Sequence, residues 1–159
     1  YALLWQTRWV QEAYGGSGVP DRTRKLINNI HANWLTTERD QLAGQYGIKR
    51  VLDQYGSGNY ASTTDFMATE WRHHLTERWD VGAHGRRLHG YEAGQVNHGA
   101  GVSVGFIPKT NVWVGLGYNF TGFIDSDFSA ANFTAQGVYL KLRFKADQES
   151  LATMRAAFQ

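Results

Sequence analysis

Asn111-Val112-Trp113-Val114-Gly115-Leu116-Gly117-Tyr118-Asn119-Phe120 alternates without a break. Val112, Val114, Leu116, Tyr118 and Phe120 fall on one side of an extended chain, and Trp113, Gly115, Gly117 and Asn119 on the other, because successive side chains of a strand point to opposite faces. Upstream, Ala100, Val102, Val104 and Phe106 alternate with Gly99, Gly101, Ser103 and Gly105. Pro108-Lys109-Thr110-Asn111 has turn chemistry, so the two runs make a hairpin. Downstream, Gln136 to Phe144 sets Val138, Leu140, Leu142 and Phe144 against Gly137, Tyr139, Lys141 and Arg143. One side of each strand suits lipid and the other a polar interior.

Composition narrows the class. The chain has 159 residues with 18 Gly, 6 Trp, 8 Tyr, 8 Phe, 2 Pro and no Cys. This describes a single domain without disulfides or thiolate metal sites, too aromatic to be disordered. No run of about 18 apolar residues exists, which excludes a membrane helix, and the mean hydropathy is −0.45. A transmembrane β-barrel remains compatible, because alternation of lipid-facing and interior residues lowers its average hydropathy. With 16 basic and 14 acidic residues the net charge is +2, too balanced for a phosphate-binding patch. Tyr1 leads directly into alternating sequence without a charged and apolar leader, so a mature product or a fragment is expected.

In the first half the alternation is noisier, and Leu26, Ile27, Ile30 and Trp34, or Met67, Trp71 and Leu75, also satisfy helical spacing. An internal repeat arbitrates. Leu35-Thr36-Thr37-Glu38-Arg39-Asp40-Gln41-Leu42-Ala43-Gly44 resembles Leu75-Thr76-Glu77-Arg78-Trp79-Asp80-Val81-Gly82-Ala83, and Asp80 to Gly85 resembles Trp113 to Tyr118 in the clear hairpin. Strands are therefore expected near 1–13, 24–36, 42–53, 64–75, 79–90, 98–107, 111–121 and 134–145. Long connections at 14–23, 54–63, 91–97 and 122–133 then alternate with short ones at 37–41, 76–78 and 108–110, an asymmetry found in outer-membrane barrels. The long ones are rich in Gly, Ser, Asn and Asp, and nothing hydrophobic is expected to cap them. A soluble sandwich or lipocalin would need its apolar face inward, so the second face decides.

That face carries Gln6, Arg8, Glu12, Asn29, His31, Asn33, Gln45, Lys49, Glu70, Arg72, His74, Asp80, His84, Arg86, Asn119, Tyr139, Lys141 and Arg143. Gly82, Gly99, Gly101, Ser103, Gly105, Gly115 and Gly117 share it, which suits an interior making room for long side chains and gains nothing on a solvated surface. The expected lumen lining is Arg8, Glu12, His31, Lys49, Glu70, Arg72, His74, Asp80, His84, Arg86, Lys141 and Arg143, with six cations against three acids. In an eight-strand barrel these side chains pair into a plug, whereas a larger barrel leaves a weakly anion-selective pore. Trp34, Trp79, Phe106 and Phe144 near the short turns read as an interfacial girdle. Glu70 is expected to meet an Arg across the pair of strands four and five.

Chemistry is sparse. His73 and His74 are adjacent and face opposite ways, and no Cys or helical His pair offers a metal site, so no metal or cofactor is expected. Ser103, His98, His89 and Glu92 are the sole set to nominate for a Ser-His-acid hydrolase, without a nucleophile-elbow pattern.

Gln136-Gly137-Val138-Tyr139-Leu140-Lys141-Leu142, extended by Phe144, matches the C-terminal assembly signal of outer-membrane barrels: a polar residue, Gly, two variable residues, then hydrophobic, any, hydrophobic. Together with Val112 to Phe123, Asp127-Phe128-Ser129 and Thr134 to Gly137, it resembles the C-terminal barrel of large repeat-containing Gram-negative surface proteins, most clearly over residues 75 to 146. The resemblance implies an all-β, antiparallel up-and-down transmembrane barrel over 1–145, about eight strands of it visible here. It implies an outer-membrane anchor that helps export a surface-exposed region. Its partners would be outer-membrane lipids and lipopolysaccharide, the barrel-assembly machinery and a passenger or repeat region. Gln136, Gly137, Leu140, Leu142 and Phe144 would carry the assembly signal, and no catalytic motif comes with it. A small-solute channel and a lipid-modifying enzyme are the alternatives. Residues 146–159 depart from the family pattern. Leu151, Met154 and Phe158 at helical spacing suggest a short periplasmic helix or a disordered tail.

Overall fold

The computed structural model describes residues 1–16, 18–123, 125, 127–128 and 136–144. Within them the chain is all-β and free of helix. Eight strands run in sequence order, β1 (Ala2–Ala13), β2 (Arg22–Leu35), β3 (Asp40–Tyr55), β4 (Gly58–His74), β5 (Trp79–Gly90), β6 (Gln95–Lys109), β7 (Val112–Thr121) and β8 (Gly137–Phe144). Each pairs antiparallel with the next, giving one up-and-down sheet. The sheet is open: among the described residues β1 and β8 are its unpaired edges. The expected tail over 146–159 lies outside the described residues.

Register follows the period-two pattern. Ile27 opposes Arg8 and Lys49, Glu70 opposes Ala43 and His84, Gly82 opposes Ser103, and Gly115 opposes Gly105 and Lys141. A one-residue slip would exchange the faces of a whole strand, so the face assignment rests on these pairings. The polar face is concave. Arg143 on β8 lies 3.8 Å from Glu70 on β4, and the Trp113 indole on β7 donates to Asp80 on β5, contacts that a flat sheet could not make.

Two expected loops are corrected. The stretch 54–63 is mostly strand: Tyr55 pairs with Gly58 across a two-residue turn, and Asp53 pairs with Tyr60. Its Gly, Ser and Asn residues have loop composition, but a hairpin ladder needs backbone pairing rather than bulky side chains, and Thr23 Oγ1 donates to Asp53 Oδ1 at 2.6 Å to tie the extension to β2. The stretch 91–97 likewise shrinks to 91–94, turned by Gly94 at φ 60°. At this end the connections are therefore 14–21, 56–57, 91–94 and 122–136, and at the other 36–39, 75–78 and 110–111. The length contrast rests on the first and last connections alone. The 110–111 turn uses Asn111 at φ 69°, a left-handed conformation that Asn tolerates.

Among the described residues the buried hydrophobic ones are few: Ile27, Phe66 and Phe128. The large apolar side chains stand instead on the convex face. Trp5, Trp9, Leu26, Ile30, Trp34, Tyr46, Met67, Trp71, Val102, Val104, Leu116, Phe120, Leu140 and Phe144 are all exposed there, Leu140 by 66% and Phe144 by 72%.

Candidate functional site

The twelve residues expected to line an interior all fall on the concave face by register. They divide into two groups along the strands. Near the 14–21 end, Lys49 Nζ donates to Asp125 Oδ2 at 2.9 Å and Asp127 Oδ2 at 3.0 Å, and Arg8 Nη2 donates to Asp127 Oδ1 at 3.0 Å. Glu12 lies 3.9 Å from Lys25. Phe128, from the same connection as these aspartates, is fully buried and stacks on Phe66 with centroids 5.1 Å apart, while Phe123 meets Phe66 edge-on at 6.2 Å. The expectation that nothing hydrophobic caps the long connections is thus overturned for 122–136. Phe128 packs over Gly47, where a Cβ would come within 2.5 Å of the ring. Burial alone would raise the Asp127 pKa, but the Lys49 hydrogen bond and the charges of Lys49, Lys25 and Arg8 outweigh it and hold the carboxyl below its usual range.

Toward the short turns the concave face holds a second group. Arg72 is buried and donates to Asp80 Oδ1 and Glu70 Oε1, each at 2.5 Å. Asp80 is completely buried and also accepts from Trp113 Nε1 at 2.6 Å. The guanidinium carbons of Arg72 and Arg143 lie 4.5 and 4.9 Å from the Trp113 ring centroid. Ring space comes from glycine: a Cβ on Gly115 would overlap the Trp113 indole, and one on Gly117 would overlap the Tyr139 ring. The expected Arg partner of Glu70 across β4 and β5 is corrected. Its register partner on β5 is His84, and its arginines are Arg72 on the same strand and Arg143 on β8.

These side chains surround a cavity of about 370 Å³, lined among others by His31, Gln45, Glu70, Arg72, His84, Arg86, Lys141 and Arg143. His84 Nε2 lies 3.0 Å from Asn119 Oδ1. His74 opposes Asp80 in the register and stands on the concave face, whereas His73 faces the convex side with Nδ1 2.8 Å from Asp40 Oδ1.

No family model, curated protein or solved structure matches this chain. The site is therefore read from its geometry alone. The nominated hydrolytic set does not assemble: Ser103 is buried on the concave face, while His98 and His89 stand on the convex one. Glu92 sits in the 91–94 turn, where Thr63 N–H donates to its Oε2 at 2.6 Å and lowers its pKa. Among the described residues no group of three or more His, Asp or Glu is placed to hold a metal ion.

Sequence reasoning missed Asp125, Asp127, Phe128 and Trp113. The signal for Trp113 was present, since it shares a parity with Gly115 and Gly117, and a large ring among glycines on one face has one place to lie. Nothing local signals Phe128.

Proposed function

We propose that this domain is a transmembrane β-barrel of the Gram-negative outer membrane, serving to anchor a surface-exposed region of its protein. The observation that carries this reading is the inverted distribution of polarity. The concave face holds the buried Asp80, Arg72, Asn29, Gln45 and Asn119, and the convex face holds the exposed Trp, Leu, Val and Phe side chains. A soluble sheet of this size would turn the second set inward, since each large apolar side chain left in water forgoes about 1.5–3 kcal/mol. In lipid the same exposure is favourable, and polar groups are obliged to pair internally. Strands of 8 to 17 residues suit a bilayer, which a tilted strand of about 9–11 residues crosses. Trp79 and Phe106, paired 4.6 Å apart beside the short turns, fit an interfacial girdle. In hydrocarbon the open edges of β1 and β8 would leave backbone groups unpaired, so the barrel closes through them, directly or with further strands. The match of Gln136, Gly137, Leu140, Leu142 and Phe144 to an assembly signal supports delivery by the barrel-assembly machinery, and Gly137 at φ 116° stands where the strand begins.

Anchoring is favoured over conduction because Phe128, Asp125 and Asp127 fill one end of the concave face. The cavity at the other end favours a small-solute channel as the second reading, and single-channel recordings separate the two, the anchor giving no steady conductance.

The six tryptophans supply the test of the membrane reading. Trp5, Trp9, Trp34, Trp71 and Trp79 are convex and Trp113 is concave. In single-tryptophan variants folded into vesicles of brominated lipid, the convex residues should be quenched and Trp113 spared. Equal quenching of all six, or of none, would refute the proposal.

A further inference from the structure

The cations of the convex face are gathered at one height. Arg22 and Arg24 on β2, Arg50 on β3 and Arg87 on β5 share the parity of Leu26, Ile48 and Met67, and so stand on the convex side. Counted from the short-turn ends of their strands at Leu35, Asp40 and Trp79, Arg24 lies 11 residues up, Arg50 10 and Arg87 8. At about 3.3 Å per residue and a tilt of about 40°, these are heights of roughly 20–28 Å, the upper boundary of an apolar band about 25 Å tall. Between that boundary and Asp40, the convex positions of β2 to β5 carry no Lys, Arg or Glu. The short-turn end is balanced, with Glu38, Asp40 and Glu77 against Arg39, Arg78 and Lys109. The upper belt is not. Its acids are Asp65, which accepts from the Tyr91 hydroxyl at 2.8 Å and lies 4.0 Å from His89 Nδ1, and Glu92 in the turn above, which accepts from Thr63 N–H. Among the described residues none of the four arginines joins an ion pair. A second observation adjoins the first. An open apolar recess of about 580 Å³ lies below Arg87, lined by Ile30, Ala32, Gly44, Tyr46, Met67 and Gly85, with Arg87 at its upper end. Ala32, Gly44, Thr69 and Gly85 oppose one another in turn across four strands, at 3, 4, 5 and 6 residues above the short-turn ends. The recess therefore climbs toward Arg87 over three inter-strand steps, about 14 Å.

We propose, resting on the membrane reading above, that this surface docks a diphosphorylated glycolipid of the outer leaflet, the chemistry of the lipid end of lipopolysaccharide. One phosphate sits between Arg24 and Arg50, the second at Arg87, and an acyl chain lies in the recess. Arg24 and Arg50 are diagonal neighbours on adjacent strands, their Cα atoms about 8 Å apart, and Arg87 lies two strands and two residues from Arg50, about 12 Å away. Guanidinium groups hold phosphate through paired, charge-assisted hydrogen bonds. The vertical order is that of an amphiphile, charge at the boundary and apolar space beneath it. A zwitterionic phospholipid brings a cation that the belt repels. A free phosphate ion gains nothing from the recess, and its attraction to exposed arginines is screened by salt.

Native mass spectrometry of the full chain folded in neutral-detergent micelles tests this, with diphosphoryl lipid A, monophosphoryl lipid A and phosphatidylcholine as probes and inorganic phosphate as competitor. Saturable occupancy by diphosphoryl lipid A is expected, weakened by salt and unaffected by excess inorganic phosphate. Monophosphoryl lipid A should bind about fivefold more weakly, and Arg24→Gln, Arg50→Gln and Arg87→Gln should each weaken the diphosphoryl form about fivefold, the scale of one cation near an anionic headgroup. Gly44→Leu should weaken it too, by filling the recess: a Cβ at Gly44 meets nothing nearer than 4.0 Å, so the strand tolerates the side chain. Arg78→Gln, at the short-turn end, should bind like the parent. The site is overturned if diphosphoryl lipid A binds no tighter than phosphatidylcholine, if inorganic phosphate displaces it, if Arg24→Gln, Arg50→Gln or Gly44→Leu binds like the parent, or if Arg78→Gln loses as much as they do. Should any of these occur while brominated lipid still quenches the convex tryptophans, the membrane domain stands and this site alone falls. Unquenched convex tryptophans remove both.

Discussion

Asp80→Asn removes one charge from the most enclosed part of the concave face. Asp80 and Arg72 have side chains exposed by 1% and 7%, joined at 2.5 Å. Breaking a buried pair by deleting one partner costs about 3–5 kcal/mol, because the remaining charge stays desolvated. Two features place this case at the low end. Arg72 keeps Glu70 Oε1, and the Asn amide oxygen can still accept from Trp113 Nε1. The expected loss is therefore about 3 kcal/mol, or roughly 150-fold in the unfolding equilibrium. Asp80→Ala should lose about 1–3 kcal/mol more, since the indole N–H is then left without an acceptor. The assay is urea unfolding in lipid vesicles, followed by circular dichroism and compared with Arg8→Gln. Arg8 is 46% exposed, so its pair with Asp127 is worth under about 1 kcal/mol. If Asp80→Asn costs no more than Arg8→Gln, water reaches the network freely. The account of a closely packed polar interior is then wrong.

On the proposed membrane reading, Leu116→Arg and Leu140→Arg, both on the convex face, should each cost about 2–4 kcal/mol, the penalty of a cation facing lipid at mid-depth, read as the fraction folded into vesicles. Phe128→Ala should lower stability by about 3–5 kcal/mol, because the ring is fully buried against Phe66, and a midpoint unchanged in urea would show that the segment does not dock. Asp127, its carboxyl held below the usual aspartate range by Lys49, Lys25 and Arg8 despite its partial burial, contributes stability that is present above the ordinary carboxylate pKa and lost as pH falls through the lowered one. Asp127→Asn should accordingly flatten the acid limb of a stability-pH curve while leaving the pH dependence near neutrality as it was.

The faces of the strands were legible because a strand has a strict period of two, and Gly105, Gly115 and Gly117 share the face of Asp80, Lys141 and Arg143. Strand ends were less so. Gly56-Ser57-Gly58-Asn59 has loop composition, yet the ladder runs through Tyr55 and Gly58, since pairing is satisfied by backbone groups present in any residue but Pro. The Glu70 partner was misjudged for a geometric reason. Periodicity treats a sheet as flat and offers neighbours on adjacent strands. Curvature brings β8 to β4, and residues two apart on one strand share a face closely enough for Arg72 to reach Glu70 directly.

The pairing of glycine with a large ring explains how one sequence feature served two structural ends. On β7 and β8 the small residues lie beside Trp113 and Tyr139 on the concave face, while Leu116, Tyr118, Leu140 and Leu142 keep the convex face continuous. Replacing Gly115 or Gly117 with a larger residue would displace the ring that walls the cavity and, at Trp113, the donor that Asp80 requires. The same rule fails for Phe128, because no period relates a connection to the strand it covers. Its partner Phe66 lies 62 residues earlier, and Gly47, whose missing Cβ admits the ring, 81 residues earlier. A contact of that separation arises from the curvature of the whole sheet, which places β3 and β4 beneath the connection from β7 to β8. The strand pattern could therefore locate the polar concave face but not Phe128, which packs over one end of it.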